Sequence, residues 1–158
     1  MDPSIVLLAR PHPSIVNSMS RFLADVGYEP RSLASLEEMG GWNPAGVAAV
    51  VVSTSVASAV HGSFEQVVRQ AVHSFPGVPL VFATVVEASH ARRVLSETLK
   101  VRGIPVRIHL VEEGRLLPAV TDHQTPALLI NRHDLDDEAH CRRAATAFEA
   151  LIERRLAS

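Results

Sequence analysis

A chain of 158 residues with 47% hydrophobic and 20% charged residues has the composition of one globular domain, long enough to bury roughly two thirds of its unfolded surface, and excludes a disordered or fibrous protein. A formal net charge of −2 gives no overall pull toward nucleic acid, although the basic residues are mostly arginine and leave room for a local anion site. The single Cys141 permits neither an internal disulfide nor a cysteine-rich zinc site, no apolar run approaches the ~20 residues of a membrane span, and Met1-Asp2-Pro3 lacks the basic start of a signal peptide, so a cytoplasmic location is expected.

Taken in order, continuous apolar runs alternate with helical spacing, the pattern of a parallel sheet covered on both faces and hence of an α/β domain over 1–158. Ile5 to Ala9 reads as the first strand. Ile15/Val16, Met19, Phe22/Leu23 and Val26 mark the first helix, which stops at Gly27. Glu29 to Leu33 is a short polar strand expected toward the sheet edge. Ser35-Leu36-Glu37-Glu38 has capping-box spacing and predicts a brief helix to about Met39. Val47 to Val52 is the most apolar strand and belongs at the centre. Phe64, Val67/Val68, Ala71/Val72 and Phe75 mark the next helix, followed by a strand over Pro79 to Val86 and a helix carrying Ala91, Val94/Leu95 and Leu99. A strand over Ala127 to Ile130 precedes a last helix with Cys141, Ala144/Ala145, Phe148 and Leu151/Ile152.

This order resembles the receiver domain of bacterial response regulators. Such receivers open with a strand, an acidic pair, a proline, a helix and a Gly-Tyr junction. Here Val6-Leu7-Leu8-Ala9 leads to Arg10 and Pro11 in place of the acidic pair, then Pro13, then Phe22-Leu23-Ala24-Asp25-Val26-Gly27-Tyr28. Ser53 falls at the position of the phosphoacceptor aspartate, and Thr84 where the family keeps a Thr or Ser. Asn131-Arg132-His133-Asp134-Leu135-Asp136-Asp137 matches the Lys-Pro-x-Asp-Leu segment with Asn131 for the lysine, and Leu128 stands where an aromatic is common. The resemblance implies a flavodoxin-like three-layer sandwich on a mainly parallel five-stranded sheet.

The departures form a consistent set. Receiver phosphorylation requires carboxylates to hold Mg²⁺ and one more as nucleophile. Arg10 and Pro11 remove the metal ligands, Ser53 removes the acceptor, and Asn131 replaces a lysine whose duty has gone. The reading is a pseudo-receiver that aspartyl phosphorylation cannot set, with no cofactor or resident metal. Arg10, Ser53, Thr54, Thr84 and Asn131 would form a neutral-to-positive pocket at the carboxyl ends of the strands, where an arginine either pairs with Glu87 or Asp134 or receives an anion.

A further departure is length, because more than twenty residues separate the helix ending near Val101 from the strand at Ala127. Pro105 to Val111 alternates polar and apolar residues, Glu112-Glu113-Gly114-Arg115 suits a turn, and Leu116 to Val120 can return. The expectation is an inserted hairpin or extra strand at about 104–124. The alternative makes Ile104 to Val111 the fifth strand and Ala127 to Ile130 the sixth. By resemblance the segment lies near the face receivers use for dimers and partners, so Arg107, His109, Leu110, Arg115 and Leu116 are the candidate interaction surface.

Other combinations have plainer readings. Acidic residues from Asp134 onward suit a helix start, with Asp134 as N-cap, and His133 and His140 are too far apart for a zinc helix. Ser53-Thr54-Ser55 with His12 lacks a nucleophile elbow and an orienting aspartate, so no catalytic set can be assembled. Arg92-Arg93, Arg142-Arg143 and Arg154-Arg155 read as solvated helix faces. Trp42 is either a core plug or an exposed partner anchor. The leading expectation is a signalling adaptor that works through a protein partner or a homodimer, without nucleic acid or membrane. The alternative is a sensor of phosphate or a nucleotide, and an enzyme ranks third.

Overall fold

The computed structural model describes residues 5–10, 13–33, 37–54, 64–84, 87–111, 125–135 and 137–157. β1 (Ile5–Arg10), α1 (Pro13–Asp25) and β2 (Glu29–Ser32) come first, followed by short 3-10 turns at Glu37–Gly41 and Pro44–Gly46. β3 (Val47–Ser53), α2 (Phe64–Ser74), β4 (Leu80–Thr84) and α3 (Ala88–Val101) build the middle of the chain. β5 (Val106–Leu110), β6 (Thr125–Asn131), a 3-10 turn at Arg132–Leu135 and α4 (Glu138–Ala157) complete it. The brief helix expected after Ser35 is the first of the 3-10 turns. Gly40-Gly41 stops it after little more than one turn, and Ser35 itself lies outside the described residues.

The six strands form one parallel sheet in the order β2-β1-β3-β4-β6-β5. β3 and β4 occupy the middle and are buried at every residue, while polar β2 sits at an edge and is largely exposed. Alternate strand residues serve opposite faces. Leu7, Val50, Val52 and Phe82 pack with Val67 and Phe75 of the α2 segment and Leu99 of α3. Leu8, Val51, Val81 and Leu128 pack with Leu23 of α1 and Phe148 of α4. Phe148 also meets Phe22 and Tyr28 edge to face, with ring centroids 6.0 and 5.2 Å away, and so fixes the end of α1 against α4. Trp42 is half-buried against the α2/α3-side core, the plug of the two readings.

The inserted region supplies an extra strand, and the sheet therefore has six strands where the family pattern has five. β6 takes the place beside β4, and β5 lies outside it as a parallel edge strand. Ile108 and Leu110 are buried on the face covered by α3, which packs against β5 and so gives that strand a reason to stay in the sheet. The turn at Glu112 to Arg115 and the return strand at Leu116 to Val120 lie outside the described residues.

Helix ends are set by local hydrogen bonds. Gly27, at φ 92°, lets Tyr28 N–H reach Leu23 O (2.9 Å) while its own N–H reaches Ala24 O (3.1 Å), and Gly103, at φ 70°, repeats the arrangement after α3 with Ile104 and Leu99. At the start of α3 the Glu87 carboxylate accepts from Ser89 N–H (3.0 Å) and His90 N–H (2.8 Å). At the start of α4 the cap is Asp137, which accepts from His140 N–H (2.8 Å) and lies 2.7 Å from the same residue's ring Nδ1. This corrects the expectation for Asp134. A 3-10 turn intervenes before α4, and Asp134 Oδ2 folds back to accept from Asn131 N–H at 2.8 Å.

Two measurements follow from this architecture. Ile108→Ala should lower the unfolding free energy by about 2–5 kcal/mol in urea titration, and replacing 104–124 by a short Gly/Ser turn should abolish the cooperative transition; an unchanged midpoint in either variant would show that β5 is dispensable. The second concerns pH. The backbone hydrogen bond from His90, then that from Ser89, holds the Glu87 carboxyl below its ordinary value, and the backbone bond and ring of His140 do the same for Asp137. A depressed folded value means that each cap stabilises the protein above the ordinary carboxylate range, and that this is lost as pH falls through the folded value. Glu87→Ala should therefore lower the melting temperature at neutral pH, with the difference from wild type closing in acid. A gap that ignores pH would point to lost helix packing instead.

Candidate functional site

The carboxyl ends of neighbouring strands bring four of the sequence candidates to one end of the sheet. Arg10, Ser53, Thr84 and Asn131 are the last residues of β1, β3, β4 and β6. Thr84 stands opposite Asn131 and Ser53 opposite Ala83, one strand spacing of about 4.8 Å apart. The β1/β3 register shifts by one residue between Leu8 and Arg10, which places Arg10 opposite Val52. The Arg10 side chain, Pro11 and His12 lie outside the described residues.

Ser53, Thr84 and Asn131 are only 2%, 2% and 5% exposed, polar residues closing an otherwise apolar layer. None of the three is free of interactions, as burial of a polar group demands. Thr54 is half-buried, and its N–H donates to Ala83 O at 2.9 Å, carrying the β3/β4 ladder one residue past the strand. Thr54 and Thr84, with His90, Ala91, Val94 and Leu95 of α3, line a cleft of about 190 Å³ beside the strand ends. Its polar groups are hydroxyls and one imidazole, and the His90 ring Nδ1 lies 3.1 Å from an Arg93 guanidinium nitrogen.

That chemistry differs from a divalent-cation site, which takes carboxylate and carbonyl oxygens. Among the described residues no group of three or more His, Cys, Asp or Glu could hold a metal ion. The two carboxylates that the sequence offers as partners for Arg10 have other work: Glu87 caps α3, and Asp134 accepts from the Asn131 main chain.

The candidate interaction surface divides. Arg107 is exposed on β5, whereas His109 and Leu110 are 5% and 4% exposed and belong to the packed faces of the sheet. Their burial corrects their place on the candidate surface: Leu110 shares the α3-covered face with Ile108, and His109 is packed although Arg107, on the same side of the strand, is exposed. Arg115 and Leu116 lie outside the described residues. Leu128, at the family's aromatic position, is fully buried and stands between Val81 and His109 on the adjacent strands. On α4 the Arg142–Glu138 pair (2.6 Å) is 77% and 80% exposed, a surface contact of small energetic weight. Among the described residues no helix is long and apolar enough to cross a membrane.

No protein-family profile matches the chain, and no curated protein matches it in sequence. Solved structures do resemble it. A response regulator receiver protein from Sinorhizobium medicae aligns over 97% of both chains at TM-score 0.57 and 15% identity. A receiver domain protein from Clostridium thermocellum aligns over 98% of both at TM-score 0.58 and 10% identity. One from Methanospirillum hungatei covers 99% of this chain and 100% of its own at TM-score 0.57 and 11% identity. At such identities the likeness is one of fold, and it agrees with the strand order, the helix layers and the punctuation of the sequence: this chain has a receiver-like fold.

Proposed function

We propose that this domain is a pseudo-receiver, a bacterial signalling adaptor or regulatory module that works through protein contacts or dimerisation rather than by aspartyl phosphorylation or catalysis. The observation that carries the reading is the convergence of Ser53, Thr84 and Asn131, buried and neutral, at the ends of β3, β4 and β6. Phosphoryl transfer to a receiver depends on a carboxylate nucleophile and a metal that neutralises the incoming charge. A hydroxyl and a carboxamide supply neither, and the Glu87 and Asp134 carboxylates nearby in sequence are engaged by main-chain N–H groups.

A second reading makes the same end of the sheet a sensor for phosphate or a nucleotide. Its support is the position of Arg10 at the end of β1, beside the strand that ends in Ser53.

Incubation with acetyl phosphate and Mg²⁺ should leave the protein unlabelled, and beryllofluoride should cause no NMR shifts around Ser53. An acid-stable, base-labile phosphoryl adduct would overturn the pseudo-receiver reading. For the sensor, phosphate or a nucleotide should raise the melting temperature with dose, since a ligand at 100 times its dissociation constant adds about 2.7 kcal/mol to the native state. Arg10→Ala should remove that shift without unfolding the free protein. A nucleotide panel, cyclic dinucleotides included, that shifts nothing at millimolar concentration eliminates the sensor and leaves the adaptor.

A further inference from the structure

The opposite end of the sheet, where α2 and α3 finish, gathers basic side chains. Arg69 and His73 are one turn apart on α2, Lys100 lies in the last turn of α3, and Arg102 follows it directly. Cations at helix C-termini oppose the negative end of the dipole, and Arg69 does so by contact, its Nη2 donating to Arg102 O at 2.9 Å. That hydrogen bond occupies Arg69 alone. The Arg102 guanidinium and the His73 ring are exposed, and neither has a hydrogen-bond or ion-pair partner among the described residues.

Two clefts meet at Arg69. One, of about 410 Å³, runs between Val72, His73 and Pro76 on one side and Gly103, Ile104 and Pro105 on the other. The second, of about 330 Å³, is lined by Glu65, Gln66, Arg69 and Arg102. The first cleft is walled by aliphatic and proline surface, and the Gly103 turn at φ 70° sets its far side. Glu65 is the one carboxylate in either lining, against the guanidinium groups of Arg69 and Arg102. An apolar seat rimmed by cations is therefore open at the end of the sheet remote from Ser53.

We infer that this seam docks an acidic peptide segment bearing an apolar anchor, with the anchor against Val72 and Ile104 and the carboxylates facing Arg69, Arg102 and His73. The inference rests on the protein-contact reading above and specifies the partner's chemistry. The aliphatic and proline walls suit a peptide side chain, whereas a nucleic acid would call for aromatic platforms, and neither lining contains an aromatic ring other than His73. Rim charges of this kind add salt-sensitive steering and fix the register of the partner.

Fluorescence anisotropy tests it, with a labelled peptide of glutamates carrying central leucines as the probe. Binding should saturate at low ionic strength, weaken with salt, and disappear when serines replace the leucines or lysines replace the glutamates. Arg102→Glu combined with His73→Glu should weaken it by about tenfold or more, and Glu65→Gln should tighten it. The proposal is overturned if wild type shows no saturable binding, or if the double variant, melting like wild type, binds equally well. Should the double variant fail to fold, unchanged affinity in Glu65→Gln would overturn it. Salt-dissociable self-association without peptide binding would assign the seam to a second copy and equally overturn it. The labelling assay at Ser53 reads the strand ends alone, so the two readings fail separately.

Discussion

Burial of β3 and β4 on both faces is the constraint from which the strand-end chemistry follows. A parallel strand covered by helices above and below leaves water only at its two ends, and the last residues of β3, β4 and β6 are themselves 2–5% exposed. A carboxylate held there needs a compensating cation, because desolvating a charge without a partner costs several kcal/mol. Neutral Ser53, Thr84 and Asn131 meet the same burial without bringing a charge of their own.

The extra strand changes what the rest of the sheet can present. With β5 beyond it, β6 is paired on both sides, and Leu128 is enclosed between Val81 and His109 rather than held at an edge. The outer edge of the sheet is β5, packed against α3. Arg107 is the outward side chain of that strand.

Helix α3 connects the two ends of the domain. Its first turns, capped by Glu87, carry His90, Ala91, Val94 and Leu95 along the cleft beside Thr54 and Thr84. At the other end of its 14 residues, about 21 Å in all, its C-terminus turns through Gly103 and supplies Arg102 and Ile104 to the cationic seam. The strand-end cleft and the seam therefore share one rigid element, while their chemistry differs: hydroxyl and imidazole at one end, guanidinium and aliphatic surface at the other.

The resemblance to receivers put Arg10, Ser53, Thr84 and Asn131 at the carboxyl ends of the strands, and periodicity alone located most of the strands and helices and put Val47 to Val52 at the centre and Glu29 to Leu33 at an edge. The placements from periodicity depend on how a residue divides its own surface between core and water, which a period of 2 or 3.6 reports directly. The tertiary structure decided what depends on pairs. That β6 enters between β4 and β5 is a matter of strand order, which no local pattern encodes. The choice of Asp137 over Asp134 as the cap of α4 turned on one intervening 3-10 turn, since either aspartate suits a helix start. Arg69 and Arg102 lie 33 residues apart and meet only because two helices end side by side. Neighbourhood of that kind is fixed by how the chain crosses the sheet, and only the folded arrangement contains it.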